Sequence, residues 1–301
     1  MLSYLLAVLA AASNAASNIL QRQANRQEPP EVAMRLRLII DLLHRPVWLA
    51  GLVTVTASFI LDGAALSTGR LAAVQPILVL ELPLTLVGAS FVFRSAPLRL
   101  REWSAIVVMS AGLAGLIFCL DPTRGHSRGL PSVSWIVGVA ITLGAVAACV
   151  IGSLRGGPGG RRAALLGLAS GIGFGLTAAF MKSTTGQLDH GLVAVLETWT
   201  TYAMIATGLG AMFLMQNALQ SGRLIAAQPG ISLADPGVAI LWGVMAFGEH
   251  IRGGAYTAGA VVSGGLLAAG VFMLSRSPLL HDQTVATGSD ERKEEAACEA
   301  T

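Results

Sequence analysis

Charged residues are scarce in this chain, and cysteines are few. Only 12% of the 301 residues are charged whereas 53% are hydrophobic, and a soluble domain needs about 25% charged residues to cover its surface. Cys119 and Cys149 lie inside apolar runs, Cys298 lies in a polar tail, and no C-x-x-C spacing occurs. These shortages exclude a single soluble core and indicate neither a disulfide framework nor a zinc site.

Sequence signatures of catalysis are also missing. The chain has no H-E-x-x-H, no G-x-x-x-x-G-K-[ST] and no nucleophile elbow in the right context, and its five histidines lack metal-ligand spacing. The net charge of +3 comes from Lys and Arg dispersed between apolar runs, which indicates membrane topology rather than a phosphate-binding patch. We therefore expect no enzyme, no cofactor and no nucleic-acid partner.

Long apolar runs are what the chain does contain. A membrane helix needs about 20 apolar residues, and nine runs approach or exceed that length: 2–20, 47–66, 71–93, 103–120, 135–154, 163–181, 192–219, 224–247 and 255–274. Residues 30–44 are too short and too charged to span, so we expect them to form an interfacial helix. The sequence predicts an all-α polytopic protein with the lipid bilayer as its partner.

An internal repeat relates the two halves of the chain at an offset of 153 residues. Gly-Arg-Leu-Ala-Ala-Val-Gln-Pro at 69–76 returns as Gly-Arg-Leu-Ile-Ala-Ala-Gln-Pro at 222–229, and the offset persists from Pro83 and Pro236 to Leu113 and Leu266. Since five spans precede the second copy, the copies must enter the membrane from opposite sides. This is the inverted-repeat plan of secondary transporters.

The repeat divides the chain into four parts and the basic residues orient it. We predict a first repeat with an additional fifth span at 1–154, a basic Gly-rich linker at 155–162, a second repeat at 163–275 and a disordered cytoplasmic tail at 276–301. Fifteen of the 20 Lys and Arg residues fall on one side of the nine spans. The positive-inside rule then places the N-terminus outside and the C-terminus in the cytoplasm of a cell that carries the protein in its plasma membrane.

Two acids lie near the middle of the repeated helices, Glu81 and Asp235, each just before the second of two prolines. An ionised carboxylate at that depth costs roughly 2.5–3.5 kcal/mol on insertion scales, so it needs a partner or a water-filled cavity. Prolines at this depth free backbone carbonyls and predict helix breaks at Pro76, Pro83, Pro229 and Pro236. Together these features predict a central site for a cation or a proton, with Glu81 and Asp235 as metal ligands. The alternative is a structural hydrogen bond to a neighbouring helix.

Five further residues could bind a substrate or an ion. Asn14 and Asn18 belong to a polar face of the first span, Gln75 and Gln228 precede the first proline of each copy, and Glu197 stands among apolar residues. The Asn and Gln side chains could equally join helices to one another. Glu197 could instead lie at the membrane interface, with Trp199 and Tyr202 in an aromatic belt, and an interfacial position is favoured for Asp62.

The repeated Gly-Arg-Leu…Gln-Pro segments, Phe247-Gly-Glu249 and the Gly-rich stretch at 259–266 resemble the drug/metabolite transporter superfamily, in its EamA-like form. The nine spans, the polar first helix and Arg45-Pro-Val-Trp-Leu-Ala-Gly51 look more like its NIPA-type magnesium-transporter branch. The resemblance implies a carrier without naming its cargo. The first copy reads Phe93-Arg-Ser-Ala96 where Phe-Gly-Glu is expected, so we expect Glu249 to have a structural role.

The sequence thus predicts a secondary transporter that works by alternating access through a central cavity. Magnesium suits two carboxylates because it keeps several waters and needs few protein ligands, so magnesium or another divalent cation is the predicted cargo. A proton-coupled exporter of small metabolites or drugs is the first alternative, and a non-transporting membrane scaffold is the second. Association into a homodimer is left open.

Overall fold

Long apolar helices account for nearly all of the chain that the computed structural model describes, namely residues 1–25, 46–92, 99–121, 132–155, 159–221 and 224–276. The described ranges contain eleven α-helices and one 3-10 turn. In chain order they are α1 (Leu2–Asn25), α2 (Pro46–Thr68), α3 (Leu71–Leu78), α4 (Glu81–Val92), α5 (Leu100–Leu120), α6 (Ser132–Leu154), α7 (Gly160–Thr185), the turn Leu188–His190, α8 (Leu192–Glu197), α9 (Trp199–Gln220), α10 (Leu224–Met245) and α11 (Ala255–Ser275).

Eight helical segments in the described ranges are long and apolar enough to cross a membrane, with α3 and α4 counted as one. The prediction of an all-α polytopic membrane protein is confirmed at this level. The predicted eighth span forms α10, a helix of 22 residues that contains Gln228, Asp235 and two prolines. Helix α10 is not among the eight segments, although it is long enough to cross a membrane.

The first helix of each half packs against its neighbours in the same way. Along α1 and α2, Ser17 Oγ donates a hydrogen bond to the Gly51 carbonyl at 2.8 Å and Ser58 Oγ donates to the Ala10 carbonyl at 2.9 Å, so the two helices are antiparallel. In the second half, α7 pairs with α9 in the same sense, and Ser170 Oγ donates to the Ala211 carbonyl at 2.9 Å. Helix α1 also packs against α3 and α4, as α7 packs against α10.

Glycines let several helix backbones approach each other closely. A Cβ at Gly112 of α5 would fall against the backbone N of Leu267 and 2.8 Å from the Ser263 carbonyl oxygen in α11. In α7, a Cβ at Gly171 would lie 2.6 Å from the Gly230 carbonyl oxygen of α10. These contacts are of the kind that holds membrane helices together, because small residues allow close van der Waals packing.

The opposite termini of α1 and α7 meet at one end of the bundle. A Cβ at Gly69, between α2 and α3, would lie 2.7 Å from Ser3 Cβ near the start of α1. The Gly69 carbonyl accepts a hydrogen bond at 3.2 Å from Lys182 Nζ in the last turn of α7. We call this end of the bundle the Lys182 end.

An aromatic cluster lies beside Lys182. Trp135 stacks on Phe180 with ring centroids 5.6 Å apart, and it contacts Trp242 at 5.0 Å and Trp199 at 5.9 Å. Phe247 joins the cluster at 6.0 Å from Trp135. The cluster packs α6 against α7 and α10.

Several predicted boundaries differ from the structure. The predicted span at 192–219 is two helices, because Thr198 adopts an extended backbone between α8 and α9. Helix α7 begins at Gly160, so the last three residues of the predicted linker are helical. The predicted interfacial helix at 30–44 and all but Arg276 of the predicted tail lie outside the described residues.

Candidate cation-binding site

The first pair of prolines breaks its helix at the position of the candidate site. Pro76 lies in α3, which ends at Leu78, and α4 begins at Glu81. The backbone turns tightly between them, with Val79 N–H donating to the Pro76 carbonyl at 3.2 Å and Leu80 N–H donating to the Ile77 carbonyl at 3.0 Å. Pro83 occupies the first turn of α4, where a missing N–H costs little. The predicted break is therefore present in the first copy.

The second pair of prolines does not break its helix. Helix α10 runs from Leu224 to Met245 through both Pro229 and Pro236, so the helix breaks predicted at these two residues are wrong. The backbone of α7 lies against α10 at this level, and a Cβ at Gly175 would be 2.8 Å from the Asp235 carbonyl oxygen. Tight packing against a neighbouring helix supports prolines inside membrane helices and keeps α10 continuous.

Three carboxyl groups from three helices lie in the region of the break. They belong to Asp62 of α2, Glu81 of α4 and Asp235 of α10, and all three residues are half-buried. Asp235 lies close enough to Asp62 and Glu81 for their charges to act on it. We call these three residues the acid cluster. Glu81 is the first residue of α4, where the positive end of the helix dipole stabilises a carboxylate.

Neutral amides accompany the acid cluster. Asn14 Nδ2 of α1 donates a hydrogen bond to Glu81 Oε2, and the Gln75 side chain lies close to the Asp62 carboxyl group. Gln75 is buried, with 3% of its surface exposed. Among the described residues, Asp62 Oδ1 and Asp235 Oδ1 are buried without a hydrogen-bond partner, as is the Thr85 hydroxyl one turn after Glu81. Buried oxygens without partners carry a desolvation cost that a bound cation or proton would offset.

One face of α1 shows where the site opens. Ala7 and Ala11 are buried, Asn14 is half-buried and Asn18 is exposed, although the four residues follow one another along the same side of the helix. Along this side of α1, the exposed surface is therefore smallest at Ala7 and Ala11 and largest at Asn18. Asn18 lies near this opening rather than against the acids.

Two other predicted residues are not part of the acid cluster. Glu197 is exposed at the last position of the short helix α8, so its predicted place in the site is wrong. The break at Thr198 ends α8 there and leaves the carboxylate on the outside of the bundle. Gln228 is half-buried and donates a weak hydrogen bond of 3.4 Å to Ser232, one turn along α10.

Asp62 is the site residue that sequence reasoning missed. Its position six residues before the end of α2 suggested the membrane interface, but its Oδ1 is buried in the bundle close to Gln75. The available signal was that Asp62 is the only charged residue in an apolar helix of 23 residues. A lone acid inside such a helix is a functional candidate by default.

The acid cluster is not a preformed metal site with three or more protein ligands. No group of three or more His, Cys, Asp and Glu side chains within the described ranges is arranged to hold a metal ion. Magnesium does not require such a group, because it keeps much of its hydration shell and binds through one or two carboxylates. Metal ligation by Glu81 and Asp235 stays a prediction.

Comparisons with known proteins add one relative. An uncharacterised protein of Corynebacterium glutamicum is 29% identical over 265 residues, which cover 84% of this chain and 88% of that protein. No protein-family model matches the chain, and no solved structure matches it. The similarity extends over most of both chains.

Proposed function

We propose that this protein is a secondary transporter that binds a cation at the acid cluster, with magnesium or another divalent cation as its cargo. The observation that carries the proposal is that Asp62, Glu81 and Asp235 lie inside a membrane bundle, with Asp235 within reach of the charges of the other two, and that none of them forms an ion pair with a described residue. Three carboxyls in this setting repel one another and are poorly hydrated. A cation that enters the site relieves both costs.

The packing of the two halves supports an alternating-access mechanism for this carrier. Helix α1 begins at the Lys182 end whereas α7 finishes there, and each first helix packs against corresponding partners. This is the arrangement expected of two copies inserted from opposite sides, which transporters use to open a central site to each face in turn. The acid cluster lies where the first copy is broken.

Proton-coupled export of a small metabolite is the second candidate. The contact between Asn14 and Glu81 favours it, because an amide can hydrogen-bond a carboxyl group in either protonation state. Glu81 could then exchange a proton without losing its partner. In this version the acid cluster carries the coupling proton, and the cargo binds in the same cavity.

Flux measured in liposomes separates these functions. Purified protein is reconstituted with a magnesium indicator and a pH indicator inside the vesicles, and the wild type is compared with the double variant Glu81→Gln, Asp235→Asn. We expect magnesium entry with the wild type and its loss with the double variant. The matched control is Asp121→Asn, which removes an acid from an exposed ion pair with Arg252 and should leave the flux unchanged.

The other outcomes are equally informative. Magnesium flux that persists in a folded double variant would contradict the role of the acids. Proton movement driven by an added metabolite, without magnesium flux, would replace the first candidate by the second. Absence of both fluxes would favour a membrane scaffold, in which the acids only hold helices together.

A further inference from the structure

An ion pair at the Lys182 end ties together three parts of the chain. Lys182 Nζ in α7 forms an ion pair with Oε1 of Glu249, a residue that follows α10 in the chain. Lys182 Nζ also donates a hydrogen bond to the Gly69 carbonyl at 3.2 Å. The side chains of Lys182 and Glu249 are only 15% and 1% exposed. The Phe247 ring covers the ammonium group, with its centroid 5.0 Å from Nζ.

The same carboxylate holds the start of α3. Leu71 N–H donates to Glu249 Oε1 at 2.8 Å, and Ala72 N–H donates to Oε2 at 2.9 Å. The first N–H groups of a helix have no partner within the helix, so Glu249 caps α3 from a distant part of the chain. Gly243 makes room for this contact, because a Cβ there would lie 2.6 Å from Oε2. The expected structural role of Glu249 thus takes a specific form.

Burial around the pair shows that it closes one end of the bundle. Four successive residues of α3, from Leu71 to Val74, have no exposed surface. At the other end of the bundle, the polar face of α1 becomes exposed at Asn18. The ion pair therefore lies at the sealed end, and the acid cluster lies between it and the opening.

We propose that Lys182 and Glu249 form a lock that keeps the Lys182 end closed and that breaks whenever this end opens. The proposal rests on the proposed function, because a transporter must open both ends in turn. Separating the pair in a dry interior would leave two buried charges. The pair therefore parts only when water enters, which makes opening an all-or-none change rather than a gradual loosening.

Thiol labelling of the detergent-purified full chain tests the lock without a transported substrate. The background replaces Cys119, Cys149 and Cys298 by Ala. One reporter, Val74→Cys, lies in the seal, and a second, Asn18→Cys, lies at the open end. Lys182→Gln removes the charge while keeping a hydrogen-bond donor, and Asp121→Asn is the matched control, because it breaks an exposed ion pair near the same end of the bundle.

We expect Lys182→Gln to raise the maleimide labelling rate of Val74→Cys about tenfold and to lower that of Asn18→Cys, as a shift between two populated states requires. Asp121→Asn should change neither rate. Unchanged labelling of Val74→Cys would overturn the proposal, and so would a rise at both reporters, which indicates a loosened fold. A reciprocal change in a protein that moves no cation would leave the lock standing and remove the proposed cation transport.

Discussion

The three acids of the candidate site differ in the polar groups that surround them. Glu81 accepts a hydrogen bond from the Asn14 amide of α1 and stands at the N-terminus of α4. Asp62 lies close to the Gln75 amide, and Asp62 and Asp235 each have a buried Oδ1 with no hydrogen-bond partner among the described residues. Amide partners orient a carboxyl group without neutralising it. The acid cluster is thus positioned but remains uncompensated, as a reversible cation site needs to be.

A substitution at Asp62 tests whether this acid belongs to the site. Asp62→Asn keeps the shape of the side chain and removes its charge, so we expect the apparent affinity of the purified protein for Mg²⁺ to fall about tenfold, equivalent to about 1.4 kcal/mol. Titration calorimetry measures the change. Asp189→Asn, at an exposed acid in the 3-10 turn, is the control. An unaltered affinity in Asp62→Asn would assign this acid to helix packing.

Asp62 and Glu197 show what the sequence alone could not decide about the site. Each is a single acid in an apolar stretch, and each could face the centre or the membrane interface. The outcome depends on the rest of the chain, because Asp62 Oδ1 is buried close to Gln75 whereas Thr198 interrupts the helix after Glu197. Glu81 was easier to place, since the prolines on both sides of it mark the break.

Several helices of this protein approach one another closely enough for their backbones to be in contact. The α5–α11 pair is the clearest case, because Gly112 lies directly against the backbone of Leu267. A Cβ methyl group added at Gly112 would meet backbone atoms of α11 rather than a flexible side chain that could move aside. It must move one helix backbone away from the other.

A pair of alanine substitutions measures this contact. Gly112→Ala should destabilise the protein by about 1–3 kcal/mol, as overpacking does, and lower its melting temperature by several degrees. Gly265→Ala lies on the exposed side of α11 with no atom near its Cβ. There the better helix propensity of Ala should leave stability equal or higher. Thermal unfolding followed by size-exclusion chromatography compares them, and equal melting temperatures would contradict the packing argument.

The prolines show how far helix breaks follow from local sequence. Both copies contain Gln-Pro followed by a second proline seven residues later, yet only the first copy is interrupted. Proline removes one hydrogen bond in either case. Whether the helix then ends depends on the neighbour, and the glycines of α7 that support α10 lie outside the local pattern. The local sequence therefore predicts where a helix loses a backbone hydrogen bond, and tertiary packing decides whether the helix is interrupted there.

At the scale of the whole molecule, the ends of the helices sort into two faces. Gly69, Lys182 and Glu249 meet at one face, which the distribution of Lys and Arg predicts to lie outside the cell. The lengths of the apolar runs sufficed to predict most of the helices and the multi-pass class. They could not predict which face is sealed, because sealing depends on one buried ion pair.

Labelling of intact cells tests this orientation. In the cysteine-free background, an impermeant thiol reagent should label Ser67→Cys and His190→Cys, which are exposed beyond the Lys182 end. Gln220→Cys, exposed at the far end of α9, should react only after the cells are permeabilised. The opposite pattern would reverse the membrane orientation. Labelling of all three from outside would contradict the sorting of helix ends.

The aromatic cluster beside Lys182 gives the molecule an optical property. Of the five tryptophans in the protein, three belong to this one cluster, namely Trp135, Trp199 and Trp242. Phe247 links the cluster to the ammonium group of Lys182. Indole emission responds to local polarity and to nearby charge. Entry of water at this end would therefore change the intrinsic fluorescence of the protein, which makes its state readable without an attached dye.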